Sequence, residues 1–582
     1  MIPHQPAREA PAVPLFHSAH PSPCQPAVPD EPLLNVRNIQ GNILAGFNKD
    51  YQTLIFLQIT NVQQFREWLE ALTPFVATSA EVLAFNRLFK EIRKRRGDSR
   101  TVQATWMNLA FSYRGLYKLA PREAGKFTDP AFRAGLHQRS RHLGDPTHGE
   151  GSPATWVVGG TEEDEADLVL IFAADDRDDL FAEVERIEDS IYAARTPDGR
   201  PIRCGVRIIH KQHGAVLPQP LTGHEHFGFL DGVSQPGLRG RISHEDHDVL
   251  TPRQNPNNPD QGKPGQDLLW PGEFVFGYPG QNPKAEDITV EGPNSLLNPD
   301  GTPAAPDWAQ DGSYFVFRRL RQDVPGFHHF LNEKGHELGL GAGLFGAKVV
   351  GRWKSGAPIL RAPHHDDPVI AGDDCVNNDF EFHKEDENGE AAAVQAQPAS
   401  CLCPADTPPA EPDDIGTTCP FAAHIRKAYP RNDEGTLITD PPIGEPSTQT
   451  HRLLRRGIPF GPPFPPNPAP DLKDSGDRGL LFMAYQTSIE DQFEFVQTQW
   501  ANNPEFKDKS ENGELRSGFD LIIGQNGEGN RERTFVLPHE GKDGTVHRHM
   551  IKAEKDWVIP TGGGYFFAPS ISALKQLAGE EI

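Results

Sequence analysis

Four short stretches set side chains capable of chemistry where backbone signals would hold them still. "HFGFLDGVSQP" (226–236) places Asp231 between an apolar run and a glycine. An Asp-Gly step after hydrophobic residues is ordinarily a turn, but a carboxylate among apolar neighbours is also suited to moving a proton to and from a reacting group. "TTCPFAAHIRKAYPR" (417–431) reads as a short helix, with Pro420 in its first turn and Pro430 stopping it beyond Tyr429. His424 falls in the middle, one position from Ile425, which shares a face with Phe421. Its imidazole can face the same buried region, either as a metal ligand or as a satisfied core residue. "HRLLRRGIPFGPPFPP" (451–466) carries Arg452, Arg455 and Arg456 beside a turn punctuated by glycine and proline. One of them turned inward would be a fixed positive charge in a dry pocket, useful where negative charge develops; left outside, it pairs with the chain's many acids. "RGLLFMAYQTS" (478–488) reads as a buried strand with Leu480 and Phe482 on one face. Such residues form core, and core can also wall a cofactor pocket.

The elements that must position these residues follow from periodicity. "YQTLIFLQI" (51–59) reads as a strand and "VQQFREWLEAL" (62–72) as a helix; "TWMNLAFSY" and "ADLVLIFAA" are further strands. "RDDLFAEVERIEDSIYAA" (177–194) is a helix whose acidic first turn suits the macrodipole, and "GVRIIHKQHGAV" (205–216) closes the set. The order β-α-β-β-α-β is that of a ferredoxin-like unit. A second half repeats it with "GEFVFGYP", "GSYFVFRRLRQ", a helix near "GFHHFLNEKGHELG", then "GLLFMAYQTS", the helix "IEDQFEFVQTQWAN" and "GGYFFAPS". The expected fold class is α+β: two ferredoxin-like units with antiparallel sheets and long loop insertions. We divide the chain into a flexible proline-rich leader (1–36), an N-terminal unit (37–218) and a C-terminal unit with insertions (219–582). Stretches rich in Pro, Gly, Asn and Asp, such as 240–272 and 384–418, punctuate the second.

Composition removes several function classes. Fifty-seven basic against 81 acidic residues leave a net charge of −24, which repels phosphate backbones and anionic lipids at long range, so neither nucleic acid nor a membrane is an expected partner. No apolar run approaches the ~20 residues that span a bilayer. The N-terminal stretch has no basic segment followed by an apolar one and no twin arginine, which leads to an expected cytoplasmic location. Six cysteines do not make a disulfide scaffold; Cys24, Cys204 and Cys375 stand alone, and Cys401, Cys403 and Cys419 match no zinc spacing.

Taken together, the four stretches resemble the dye-decolorising peroxidases, haem enzymes of the dimeric α+β barrel group, most closely the large subgroup that includes the fungal enzymes. "GFLDGVSQP" is similar to the family's G-x-x-D-G motif, with Gly228, Asp231 and Gly232 in the defining places. "CPFAAHIRKAYPR" resembles the helix bearing the proximal haem ligand, His424, and "RRGIPFGP" the segment carrying the distal arginine, Arg455, with Arg456 and then Arg452 as rivals. "GLLFMAYQ" resembles the distal strand, with Leu480 and Phe482 on the peroxide side and Phe229 a further cofactor contact. The likeness runs from "NIQGNILAGF" near residue 38 to "GGYFFAPS" near 563.

The resemblance implies haem b held by His424 as axial ligand to the iron, with hydrogen peroxide and aromatic reductants such as dyes and phenols as partners. Asp231 would move the peroxide proton as base and then acid, and Arg455 would stabilise charge on the breaking O–O bond, a role typically worth ~3–4 kcal/mol. Electrons from dyes too bulky for the pocket would arrive through the protein, with Trp500 the first relay candidate and Tyr485 the second. Both also read as residues packing helix against sheet. The proximal histidine's hydrogen-bond partner and the oligomeric state stay open. The competing readings are a haem carrier or storage protein without fast peroxide turnover, a chlorite-decomposing or iron-removing relative, and a scaffold without cofactor.

Overall fold

The computed structural model describes residues 30–97, 102–192, 204–255, 258–285, 288–383, 410–433, 445–465, 476–508, 510, 513–527 and 531–579. Most of the expected leader and most of the 384–418 insertion therefore lie outside the described residues. Residues 30–36, expected in the leader, are instead packed down: Leu34 is buried, and the Glu31 carboxylate pairs with Arg253.

The N-terminal unit runs β1 (Tyr51–Ile59), α1 (Val62–Leu72), α2 (Ser79–Arg96), β2 (Thr105–Phe111), β3 (Leu168–Ala174), α3 (Arg177–Tyr192) and β4 (Val206–Ala215). α1 starts where the Asn61 side chain accepts from Gln64 N–H at 3.0 Å and buries Phe65, Trp68, Leu69 and Leu72, the stripe that a 3.6-residue period dictates. The C-terminal unit runs β5 (Ser313–Gln322), α4 (Val324–Glu337), α5 (Gly341–Val350), α6 (His424–Ala428), β6 (Leu454–Arg455), β7 (Ile458–Phe460), β8 (Gly479–Gln486), helical turns over Ile489–Glu494 and Val496–Ala501, the hairpin β9 (Arg533–Glu540) and β10 (Val546–Ala553), β11 (Val558–Ala568) and α7 (Ile571–Ala578).

Nine strands form one antiparallel sheet in the order β6-β8-β5-β11-β2-β3-β1-β4, with β7 also paired to β8. Each half is a ferredoxin-like β-α-β-β-α-β unit, and the halves join where Phe567 of β11 pairs with Phe111 of β2. The sheet curls so that the halves face each other. The Phe56 ring of β1 lies 5.1 Å from Phe317 of β5. At the far edges, Gly214 of β4 comes so near β7 that a Cβ there would stand 2.6 Å from Ile458 Cγ2.

Three readings of the sequence need correction. "GEFVFGYP" is not a strand of this sheet: Pro271–Glu273 is a 3-10 turn, and only Pro279–Gln281 pairs, with Glu291–Asn294. Its buried Phe274, Val275 and Phe276 form a packed loop, because a short apolar run reads alike as strand or as any other buried segment. The helix expected over 417–431 starts later, at His424, since Asp413 accepts the N–H groups of Thr417, Thr418 and Cys419 and holds that stretch as a loop. Cys375, read as standing alone, is disulfide-bonded, while Cys204 and Cys419 are free and buried. The β9–β10 hairpin had no reading in the sequence; it buries Phe535, Leu537 and Ile551 against α4 and α5.

Candidate active site

The C-terminal unit encloses a cavity of about 290 Å³ into which His424, Asp231, Arg455, Phe229, Leu480 and Phe482 all project. On its lower side His424 opens α6. Nδ1 of the ring lies 2.8 Å from Asp520 Oδ2, and Asp520 is fully buried, its Oδ1 accepting the N–H of Ile522 at 2.7 Å and of Ile523 at 3.2 Å. A carboxylate fixed this way accepts the Nδ1 proton, so the tautomer leaves Nε2 as the free lone pair. Burial alone would lower the His424 pKa; the Asp520 charge and hydrogen bond outweigh it and raise it. This is the partner that the sequence left open. Nothing local in "GFDLIIG" marks Asp520 as that partner, since an aspartate ahead of an apolar run is common and the pairing joins segments far apart in the chain.

On the upper side the loop 223–234 is built to present Asp231. The Glu225 carboxylate accepts the N–H of Phe227 and of Phe229, both at 2.8 Å, and Asp231 N–H donates to Gly223 O at 3.0 Å. Gly228 (φ 92°) and Gly232 (φ 76°) take left-handed conformations that side chains resist, which is why glycine flanks the aspartate. Arg455 Nη1 donates to Asp231 Oδ1 at 2.9 Å and Nη2 to Ser234 O at 3.0 Å. The Asp231 and Arg455 side chains are 35% and 33% exposed, and that surface faces the cavity they line. Burial pushes the Asp231 carboxyl up, but the Arg455 charge and hydrogen bond and the Gly232 N–H hold it below the usual carboxylate range. Of the rival arginines, Arg456 does not line the cavity, and Arg452 lines it but is tied to other partners. Arg456 donates to the carbonyls of Asn42 (2.9 Å) and Ile43 (2.8 Å), and Arg452 pairs with Asp267 and lies over the Tyr429 ring.

β8 alternates its faces. Leu480 and Phe482 line the cavity, whereas Leu481, Met483 and Tyr485 point into the barrel core. Tyr485 thus faces away from the site, 1% exposed, with its hydroxyl near Asn42 Nδ2 at 3.3 Å. Trp500 is also 1% exposed, stacked on Phe506 at 5.5 Å and edge-on to Phe495 and His451. Neither relay candidate can itself touch a dye.

One imidazole with its second nitrogen anchored, apolar walls and an aspartate-arginine pair lining the same cavity suit an iron porphyrin with one protein ligand. Among the described residues no group of three or more His, Cys, Asp or Glu side chains could hold a bare ion.

Comparisons with known proteins agree with this architecture. The profile of the DyP dimeric alpha+beta barrel domain matches residues 38–199, and that of the Dyp-type peroxidase C-terminal region matches residues 415–512. The chain is 30% identical to a dye-decolorizing peroxidase of Mycena epipterygia over 95% of its own length and 90% of the relative's. It is 31% identical to Peroxidase 2 of Mycetinis scorodonius over 93% and 87%. Among solved structures, an ancestral D-type dye decolorizing peroxidase superposes with a TM-score of 0.68 at 34% identity, covering 94% of this chain and 100% of that one. A mutant of the dye-decolorizing peroxidase from Pleurotus ostreatus gives 0.70 at 31%, with the same coverage. With its sequence, its two-unit barrel and its relatives in agreement along almost the whole chain, this protein belongs to the dye-decolorising peroxidases, a family of haem enzymes.

Proposed function

We propose that this peroxidase binds haem b between His424 and the Asp231–Arg455 pair, reduces hydrogen peroxide there, and oxidises aromatic dyes and phenols by one-electron steps. The observation that carries the reading is that one cavity is lined both by an imidazole anchored by Asp520 and by an aspartate anchored by Arg455. Haem, when bound, supplies an iron centre able to give two electrons to peroxide and take them back singly.

The protein supplies ligand, proton and charge. His424 offers Nε2 to the iron, and Asp520 keeps the ring oriented and electron-rich through Nδ1. Asp231, held below the usual carboxylate range by Arg455, would accept a proton from one oxygen of peroxide and return it to the other, which would depart as water. Arg455, pinned by Ser234 O and Asp231, is a preorganised positive charge beside the breaking O–O bond and needs no reorganisation. Leu480, Phe482 and Phe229 exclude water from that side and keep the ion pair in a low dielectric.

The test is optical. Haem-supplied protein should show a Soret band that changes within milliseconds of a stoichiometric peroxide addition. A band that forms and does not respond identifies a haem carrier instead, and a colourless protein defeats the haem assignment. The cytoplasmic location is carried as a proposal too; the Cys375 disulfide counts against it, since disulfides persist mainly in oxidising compartments. Fractionation of the producing cell decides between them.

A further inference from the structure

The shuttle assigned to Asp231 returns every proton it takes, so both protons of peroxide leave with the first water. The oxygen left behind departs as a second water only after two electrons from the reductant and two protons from outside have reached it. Asp231 is a poor source of these, since Arg455 holds its carboxyl below the usual carboxylate range.

A second carboxylate reaches the cavity from the N-terminal unit. Asp145 lies in the loop between β2 and β3 and is the one residue before 219, among the described residues, that lines the cavity. Its side chain is 2% exposed. Arg318 Nη2 donates to Asp145 Oδ1 at 2.8 Å, whereas Oδ2 is buried and has no hydrogen-bond partner among the described residues. Arg318 lines the cavity too, on the face of β5 that carries Leu320, and its register partners are Phe482 of β8 and Gly563 of β11. The Trp156 ring lies 5.4 Å from its guanidinium. Besides Arg318, the titratable groups that feel Asp145 are Tyr565 of β11 and Asp556 just before that strand.

Burial pushes the Asp145 carboxyl up, and the Arg318 charge and hydrogen bond offset only part of this. One cavity is thus lined by two carboxyls shifted in opposite directions, Asp231 down and Asp145 up, the pattern of a base and an acid kept in one site. Glu225 also lines the cavity and is also raised by burial. Both its oxygens, however, already accept the N–H groups that hold the Asp231 loop, and a proton there would displace one of them. Asp145 is close to water along the chain: His142 before it and Thr147 to Glu150 after it are exposed. Local opening of this surface loop is enough to reload the carboxyl from solvent.

Resting on the peroxidase reading, we propose that Asp145 is the acid that delivers solvent protons to the cavity, one with each electron, for release of the second water. In each step the reductant gives one electron to the peroxide-oxidised enzyme and leaves as its one-electron-oxidised radical. The Asp145 O–H bond breaks, its proton passes to the remaining oxygen, and the carboxylate takes a proton back from solvent. Two such steps make the two O–H bonds of the second water. Arg318 steadies the carboxylate between them.

The experiment is double-mixing stopped flow on the haem-loaded full chain, peroxide first and then ferrocyanide, an electron donor that brings no proton. Infrared spectra are taken of the same samples. Asp145→Asn keeps an acceptor for Arg318 but carries no proton. Its Soret band should respond to peroxide at nearly the parental rate, while the return to the resting spectrum slows roughly 10²-fold. In the parent that return should slow as pH rises through the Asp145 pKa, a limb missing from Asp145→Asn, and Asp145→Glu should recover most of the rate. The parent should also show a protonated-carboxyl band, shifted in D2O and absent from Asp145→Asn. Asp145→Asn with Arg318→Gln removes both buried charges together and should return as slowly, which covers a single variant that fails to fold. A parental return rate in either variant, equal slowing of both steps, or no missing band overturns the proposal. The Soret response separates the two ideas: without one the peroxidase reading falls and this role with it, whereas a normal response with an unslowed return sinks the Asp145 role alone.

Discussion

Asp231 owes its ionisation to one neighbour. Burial pushes its carboxyl up and Arg455 more than reverses that, so the acid limb of kcat/KM for peroxide should fall below the usual carboxylate range, near pH 4. Removing the guanidinium leaves burial unopposed. In Arg455→Leu that limb should therefore move to higher pH, and a pH profile unchanged from the parent would exclude Asp231 as the group titrating there. Asp231→Asn should keep its haem, seen as an intact Soret band, and lose roughly 10²–10⁴ in the stopped-flow rate with peroxide, the usual scale for an acid-base group. A parental rate in Asp231→Asn beside a dead Arg455→Leu would reverse the two roles. The sign for stability follows from the same shift. A depressed carboxyl stabilises the fold above its unfolded pKa, and that contribution is lost as pH falls through the folded value.

The element that presents His424 is only five residues long, Gly-free and too short to stand alone. It is held by side chains. Arg426 Nε donates to Asp433 Oδ2 at 2.6 Å, Lys507 Nζ approaches Asp433 Oδ1 at 2.5 Å, and Arg426 and Asp433 are each 1% exposed. Asp433→Asn would take the counter-charge from buried Lys507 and leave Arg426 only the more distant Asp413, 3.8 Å away; breaking a buried pair in this way typically costs ~3–5 kcal/mol. We expect a lower melting temperature and faster haem loss to apomyoglobin, with the haem that remains still reacting with peroxide. Equal haem retention in mutant and parent would show that α6 is positioned by its neighbours in the chain rather than by this pair. The opposite loop works through backbone geometry, its left-handed glycines turning Asp231 toward Arg455.

At the scale of the molecule, the barrel depends on edge strands meeting without side chains between them. A valine at 214 would drive its Cβ to within 2.6 Å of Ile458 and 3.1 Å of Pro459 O, so Gly214→Val should destabilise by ~1–3 kcal/mol, read as a fall in melting temperature. The net charge of −24 acts on substrates before they dock. Turnover of anionic sulfonated dyes should rise with ionic strength and that of cationic dyes should fall, because salt screens both long-range forces. Identical salt dependence for the two would show that local charge around the entry point, rather than the whole surface, governs encounter.

The sequence by itself determined the four strands of the N-terminal unit and its helices α1 and α3 to within a residue or two, since amphipathic periods and caps are local properties: "VQQFREWLEAL" is α1 from end to end, whereas α2 (Ser79–Arg96) had no reading. It also determined which residue types could meet. Asp231, His424, Arg455, Leu480 and Phe482 were legible from motif and order, and all line one cavity. Tertiary structure decided everything that depends on contact between distant segments. Asp520 lies 96 residues from His424 and Arg318 lies 173 from Asp145, and no local pattern encodes such pairings. The sign of the Asp231 shift, the choice of Arg455 over Arg456, and the burial of Trp500 each turn on which side chain reaches which across the folded barrel. Periodicity says which face of an element is apolar; only the packed chain says what that face meets.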